Sequence, residues 1–218
     1  MNLAEQVQRA GVVGAGGGGF PTHVKLDPPK AKRIDALVVN GAECEPYLTA
    51  DHRLMVERAA EIVGGARILA RILGVNRILV GVEANKPDAV ASLRLAGGAG
   101  IQIESLPVMY PQGAEKQLIK ALLGRDVPPP PGLPMDAGVV VQNVGTCAAV
   151  YDAYHAAIRR LIDEIRTKHP HAMLFDIHGQ SAYRDAILRV TRHGETVTRL
   201  LARAGAAAVT GPDSVFGR

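Results

Sequence analysis

The chain has 218 residues, 47% hydrophobic and 21% charged, with a formal net charge of +4. This is ordinary globular composition, enough for one large domain or two small ones. Aromatic residues at 4%, no Trp and no basic block exclude a nucleic-acid reader, and with neither a signal peptide nor an apolar run of roughly 18 residues a cytoplasmic protein is expected.

In chain order, the first informative segment is 11–25, GVVGAGGGGFPTHVK, which holds six glycines. Glycine is costly to order, so such a run calls for close backbone approach to a ligand or for positive φ. Exposed N–H groups in a loop of this kind form an anion nest, most often for phosphate. Phe20 adds an aromatic face and Lys25 a cation. The alternative is a flexible linker, but the direct run into Phe-Pro-Thr-His-Val-Lys argues for a ligand loop.

A short buried strand is predicted at 36–40, then a helix over 52–73 with apolar Leu54, Ile62, Ala66, Leu69 and Leu73, closed by Gly74. A strand at 77–82 leads to a helix from Pro87 to about Leu95, with proline at its start. A third strand at 101–107 precedes a helix over 113–123 that ends at Gly124. Pro128–Pro131 reads as an extended surface connection, and 137–142 as a fourth strand. This alternation predicts an α/β fold, a parallel sheet with flanking helices. The texture changes near residue 150. One long amphipathic helix is expected over 151–168, a strand at 172–177 ending at His178, and a helix from about 196 to 208. The expected division is 1–150 and 151–218.

Gly14, Gly16 and Gly19 satisfy the spacing GxGxxG, a weak signal alone. The dinucleotide fingerprint also needs a helix after the glycines and an acidic residue closing the next strand. Here Asp27-Pro28-Pro29 stops any helix soon after Lys25, and Asn40 ends the strand. The ordinary dinucleotide fold is therefore rejected, and the pattern GxxxxGK[ST] is absent.

Three further clusters fall at predicted strand ends. The first is Asn40-Gly41-Ala42-Glu43-Cys44-Glu45-Pro46-Tyr47, whose carboxylates suit hydroxyl binding or flavin tuning; the bland reading is a solvated turn. The second is Tyr110-Pro111-Gln112-Gly113-Ala114-Glu115-Lys116, where Glu115 also reads as a helix-dipole residue. The third is Gln142-Asn143-Val144-Gly145-Thr146, where Asn143 also reads as a cap. Open α/β sheets bind ligands at the carboxyl ends of their strands, so the convergence outweighs any single cluster. The two cysteines, Cys44 and Cys147, form no CxxC pair and exclude a cysteine-ligated cluster within this chain.

GAGGGGFPTHVKL, VNGAECEPYLTADHRLM, YPQGAEKQLI and VVVQNVGTCAAV, in that order, resemble the flavin-binding domain of RnfC-type electron-transfer subunits over residues 5–155. The resemblance extends more distantly to the flavin-binding subunit of respiratory complex I and to cobalamin reductases of that superfamily. It implies a Rossmann-like domain, non-covalent FMN, NAD(H), and iron–sulfur clusters on partner proteins, in a Rnf-type complex peripheral to the inner face of the membrane. By position, Gly14, Gly16, Gly17 and Lys25 match residues at the FMN phosphate and ribityl chain. Asn40 and Glu43 match flavin-side residues. Phe20 and Glu45 match residues near the nicotinamide nucleotide, and Tyr110, Gly113, Asn143 and Thr146 further flavin-site positions. The resemblance names no side-chain acid or base. Ala15, Ala42 and Ala114 depart from charged residues of the complex I type. The β-grasp domain and two CxxC cluster motifs into which RnfC proteins continue do not occur in this sequence.

Residues from about 168 to 217 instead resemble an internal piece of the N-formylglutamate amidohydrolase family, through DIHGQ, Arg184-Asp185 and TGPDSVFG. That family is hydrolytic and metal-dependent, and an amide hydrolase is the alternative function. His178 is the candidate metal ligand or base, with His169, His171 and His193 nearby in sequence. A surface or capping role is the ordinary reading of such histidines. A fragment would lack part of its metal site, so neither a bound metal nor amidase activity is expected. A non-catalytic binding remnant is the third reading.

Overall fold

The structure is a computed structural model and describes residues 3–168, 175–178 and 187–190. Two compact units divide at residue 158, Met1–Ile158 and Arg159–Arg218. Among the described residues of the second unit, strands β5 (Phe175–His178) and β6 (Ile187–Val190) pair antiparallel. His178 ends β5. His169, His171, His193 and the helix expected at 196–208 lie outside the described residues.

The first unit is built on a four-stranded parallel sheet: β1 (Ala36–Gly41), β2 (Arg77–Glu83), β3 (Ile101–Leu106) and β4 (Val139–Asn143), in the order β3-β2-β1-β4. The α/β expectation therefore holds. The short apolar runs ALVV, ILVGV and VVV are buried on both faces, as parallel strands covered by helices must be. Alternation along β1 splits the core. Leu37 and Val39 point into a large cluster with Ile62, Leu69, Val80, Leu93 and Val140; Val38 points into a smaller one with Leu106, Leu118, Ile119 and Val141.

Helices α1 (Leu3–Arg9), α3 (Ala50–Glu57), α4 (Ala59–Leu73), α5 (Pro87–Gly97) and α7 (Val144–Lys168) contribute to the large cluster; α6 (Glu115–Leu123) supplies the small one. The connection through α6 carries the chain from the edge strand β3 to the far side of β1. Strand order therefore reverses between β1 and β4, and a crevice at their carboxyl ends follows from the topology.

Three boundaries differ from the sequence reading. The helix expected over 52–73 is two helices, broken at Arg58, whose φ of −130° and ψ of 35° are not helical. No glycine or proline marks the break. Arg58 instead donates to Asp152 of α7 at 2.7 Å, a tertiary tie invisible to local propensity. The last helix of the first unit begins at Val144, directly after β4, rather than at 151. Asn143 makes this early start possible, because its Oδ1 accepts the Gly145 N–H at 2.7 Å as a helix N-cap. The third helix starts at Glu115, two residues late, because 110–114 is occupied by turns. Gly74 and Gly124 close α4 and α6 with φ of 69° and 67°, as the sequence predicts.

Helices α4 and α7 meet at Gly64 and Gly65. A Cβ on Gly64 would come within 2.6 Å of the Tyr151 ring, and one on Gly65 would collide with the Cys147 carbonyl oxygen. Cys147 is fully enclosed there, and burial pushes its thiol up to about 12. Cys44 is half-buried. A thiolate-selective disulfide reagent at pH 8 is therefore expected to label Cys44 in the native protein and Cys147 only after denaturation. Equal native labelling rates for the two would contradict this packing. No helix among the described residues is long and apolar enough to cross a membrane.

Candidate functional site at the carboxyl edge of the sheet

Asn40 and Asn143 are register partners at the ends of β1 and β4, side by side where the strand order reverses. Each side chain is committed to a neighbouring segment. Asn40 Nδ2 donates to the Gly113 carbonyl at 2.8 Å, and its Oδ1 accepts the Ala42 N–H at 3.1 Å. The Asn40 amide thus draws the 110–114 turn across the end of β2. The approach is close enough that a Cβ on Gly113 would strike the Ala42 carbonyl oxygen.

Asn143 Nδ2 donates to Asp51 Oδ2 at 2.6 Å while Oδ1 caps α7. The glycine loop lies over this same amide, and a Cβ on Gly16 would approach Asn143 Nδ2 to 3.1 Å. The Ala15 N–H donates to the buried Thr146 Oγ1 at 2.9 Å, which ties the loop to the first turn of α7.

The loop itself is a tight excursion. Gly14 N donates to Phe20 O at 2.8 Å, Gly19 N donates to Gly14 O at 3.1 Å, and Val13 bridges Pro21. Gly16 and Gly17 hold φ of 80° and 94°, which side-chain-bearing residues rarely adopt. Nothing lies within 4 Å of the positions a Cβ would take on Gly17, Gly18 or Gly19. The segment therefore presents open backbone. Only the four-residue helix α2 (Thr22–Lys25) follows, in keeping with rejection of the dinucleotide fingerprint. Phe20 is 48% exposed and Tyr110 77% exposed, two uncovered aromatic rings beside these loops in sequence.

The charged groups are paired. Lys25 Nζ donates to Glu115 Oε1 at 2.7 Å and to the Val141 carbonyl at 3.1 Å, which joins α2, β4 and the start of α6. Glu43 is buried, and its two carboxylate oxygens accept the Asp51 and His52 N–H groups at 3.0 and 3.1 Å. It thereby satisfies two of the otherwise unpartnered donors of α3. Glu45, two residues on, is exposed. The buried Lys86 pairs with Glu83 and donates to the Glu43 carbonyl at 3.3 Å. Burial raises the Asp51 carboxyl above its ordinary value, and the nearby charges of Glu43 and Glu45 push the same way.

The structure therefore interlinks the glycine loop, Lys25, Asn40, Glu43, Gly113, Asn143 and Thr146 in one network. Glu45, Phe20 and Tyr110 stand exposed on the same connecting segments. Sequence reasoning missed Asp51, which reads as a first-turn acidic residue of α3. Its partner lies 92 positions away, so no local pattern could reveal the pairing. Glu115 was legible only as a helix-dipole residue, and its pairing with Lys25 is again tertiary. Among the described residues, no group of three or more His, Cys, Asp and Glu could hold a metal ion.

These segments match known proteins. The chain is 51% identical over 162 residues to the RnfC-type component of the proton-translocating ferredoxin:NAD(+) oxidoreductase complex of Clostridium ljungdahlii, covering 74% of this chain and 35% of the relative. It is 51% identical over 153 residues to the Na(+)-translocating counterpart of Acetobacterium woodii, covering 69% of this chain and 34% of the relative. The corresponding component of the ion-translocating oxidoreductase complex of Rhodobacter capsulatus is 41% identical over 206 residues, covering 93% of this chain and 37% of that protein. The chain thus spans about a third of the length of these relatives. A solved NAD+-reducing [NiFe]-hydrogenase superposes with a TM-score of 0.61 at 26% identity, over 69% of this chain and 29% of that one. The resemblance of residues 168–217 to N-formylglutamate amidohydrolases finds no support in these matches, and the R. capsulatus alignment extends beyond the first unit. The family described as the Nuo51 FMN-binding domain matches residues 7–152, and the chain belongs to it.

Proposed function

We propose that this chain binds FMN in the crevice between the ends of β1 and β4 and carries electrons between NAD(H) and an iron–sulfur protein. The observation that supports this reading best is the convergence of four sequence-distant segments on Asn40 and Asn143. The donor set suits the cofactor. Open glycine N–H groups, with Lys25 close behind them in sequence, favour its phosphate and ribityl chain. Two buried amides, Gln112 and Gln142, have Nε2 atoms without a partner and flank Gly113 and Asn143 in sequence. Such orphaned donors are rare in native proteins and suit a ligand.

FMN, when bound, accepts a hydride and releases electrons singly. The chain's own residues bind and orient. Gly14, Gly16 and Gly17 bring backbone to the phosphate and ribityl chain, with Lys25 as the neighbouring cation. Asn40 and Asn143 set the positions of the two loops that flank the flavin, and Thr146 anchors the glycine loop. Glu43 fixes the start of α3. Gly113 gives Tyr110 a close approach to the β1 end. Phe20, Tyr110 and Glu45 border the face that receives the nicotinamide nucleotide. The relatives' names pair NAD(+) with ferredoxin, which supports an iron–sulfur partner, in a Rnf-type complex at the cytoplasmic face of a membrane.

Purified protein incubated with FMN is expected to turn yellow, quench flavin fluorescence and release the flavin on denaturation. NADH is expected to bleach the bound flavin near 450 nm, on the scale of ordinary flavoprotein chemistry. Colourless protein that cannot be reconstituted would overturn the proposal.

A further inference from the structure

The glycine loop lies against a side-chain amide that can sit either way round. Asn143 Nδ2 is the atom nearest to where a Gly16 Cβ would project, and Oδ1 caps α7. Two groups decide the orientation of this amide. The Gly145 N–H requires an oxygen, and an ionised Asp51 carboxylate accepts only, so it requires the NH2. Asp51 is itself set in place, because its backbone N–H is held by the buried Glu43 carboxylate at 3.0 Å. A continuous chain thus runs from the end of β1 through Glu43, Asp51 and Asn143 to the glycine loop and α7.

We propose that Asp51 is a positioning residue of this site: by holding the Asn143 amide it keeps the glycine loop seated in its ligand-binding form. The inference rests on the FMN reading above. Asp51 touches no reacting atom and acts only through Asn143. A hydrogen bond to an ionised acceptor is roughly twice as strong as a neutral one, so the hold weakens on protonation. The groups facing Asp51 are Glu43 and Glu45 after β1, Lys86 at the start of α5, and Asn143. Burial and the two carboxylates raise its protonation range, while Asn143 and Lys86 act in the opposite direction. Affinity for FMN is therefore expected to fall as pH drops through a range above that of an ordinary carboxylate.

The test is FMN binding followed by fluorescence quenching from pH 5 to 8, on the full chain and on three variants. D51A is expected to bind about tenfold more weakly, in line with loss of one charge-assisted hydrogen bond. D51N is expected to stay within about threefold of the parent, since its carbonyl still accepts from Asn143 while its NH2 faces the carboxylates. The double variant D51A/N143A should bind no more weakly than N143A, the signature of two residues on one route. The acid-side loss of affinity should be smaller in D51N than in the parent. The second ionisation of the phosphate, near about pH 6, is common to both and cancels in that comparison. Parent protein that fails to bind FMN at any pH removes the functional reading itself. Parent protein that binds, with D51A equal to it, with losses that multiply in the double variant, or with an unchanged acid limb in D51N, overturns the role of Asp51 alone.

Discussion

Gly65→Ala is expected to lower the stability of the first unit by about 3 kcal/mol, the upper end of the usual overpacking cost. The added methyl has no free volume, because it falls on the Cys147 carbonyl oxygen, a backbone atom inside α7 that cannot rotate away. Relief requires α4 and α7 to separate, which loosens Leu69, Ala66 and Val150 in the large core cluster. At this chain length the loss corresponds to roughly 6–12 °C in the unfolding midpoint. Gly74→Ala is the matched control. It also sits on α4, at φ 69° with nothing within 4 Å, so its cost is the backbone strain of about 1 kcal/mol. A Gly65→Ala midpoint no lower than that of Gly74→Ala would show that the two helices do not cross as closely as described. A thermal scan of both variants decides it.

The double substitution Gly16→Ala, Gly17→Ala is expected to weaken FMN binding by about a hundredfold with little change in thermal stability. Both residues hold φ values that L side chains disfavour by about 1–2 kcal/mol each. At Gly16 the methyl also meets Asn143 Nδ2 at 3.1 Å. The loop is exposed, so without ligand the variant relaxes to another backbone path at small cost. Binding must then restore the strained form, and the penalty appears in affinity rather than in folding. The readouts are a flavin titration and a thermal scan run together. Affinity within about threefold of the parent would show that the loop does not bind in this conformation, since 1.4 kcal/mol is a tenfold change.

Much of this protein could be read from local pattern. Apolar runs bounded by turn residues marked β1 to β4, Gly74 and Gly124 marked helix ends, and the glycine run marked an open backbone loop. These features are legible because their causes lie within a few residues: pleat, helical period and permitted φ. The same locality explains the failures. The break at Arg58 answers to Asp152, and the early start of α7 answers to Asn143 capping Gly145. Nothing around residues 58 or 144 announces either.

The identity of the site divides in the same way. Asn40, Gly113 and Asn143 were suspected from strand ends and from resemblance, yet their adjacency required the strand order β3-β2-β1-β4. That order makes residues 40 and 143 register partners, lays loop 14–19 over the second of them, and brings Asp51 to it across 92 positions. Periodicity specifies which face of a strand is buried, and no more. Which strands become neighbours, and hence which side chains share a hydrogen bond, is settled by packing both faces of the sheet at once. The chain announced its elements, its loop and its family in the order of its residues; the pairing of Asp51 with Asn143 and of Lys25 with Glu115 emerged only from the folded crevice.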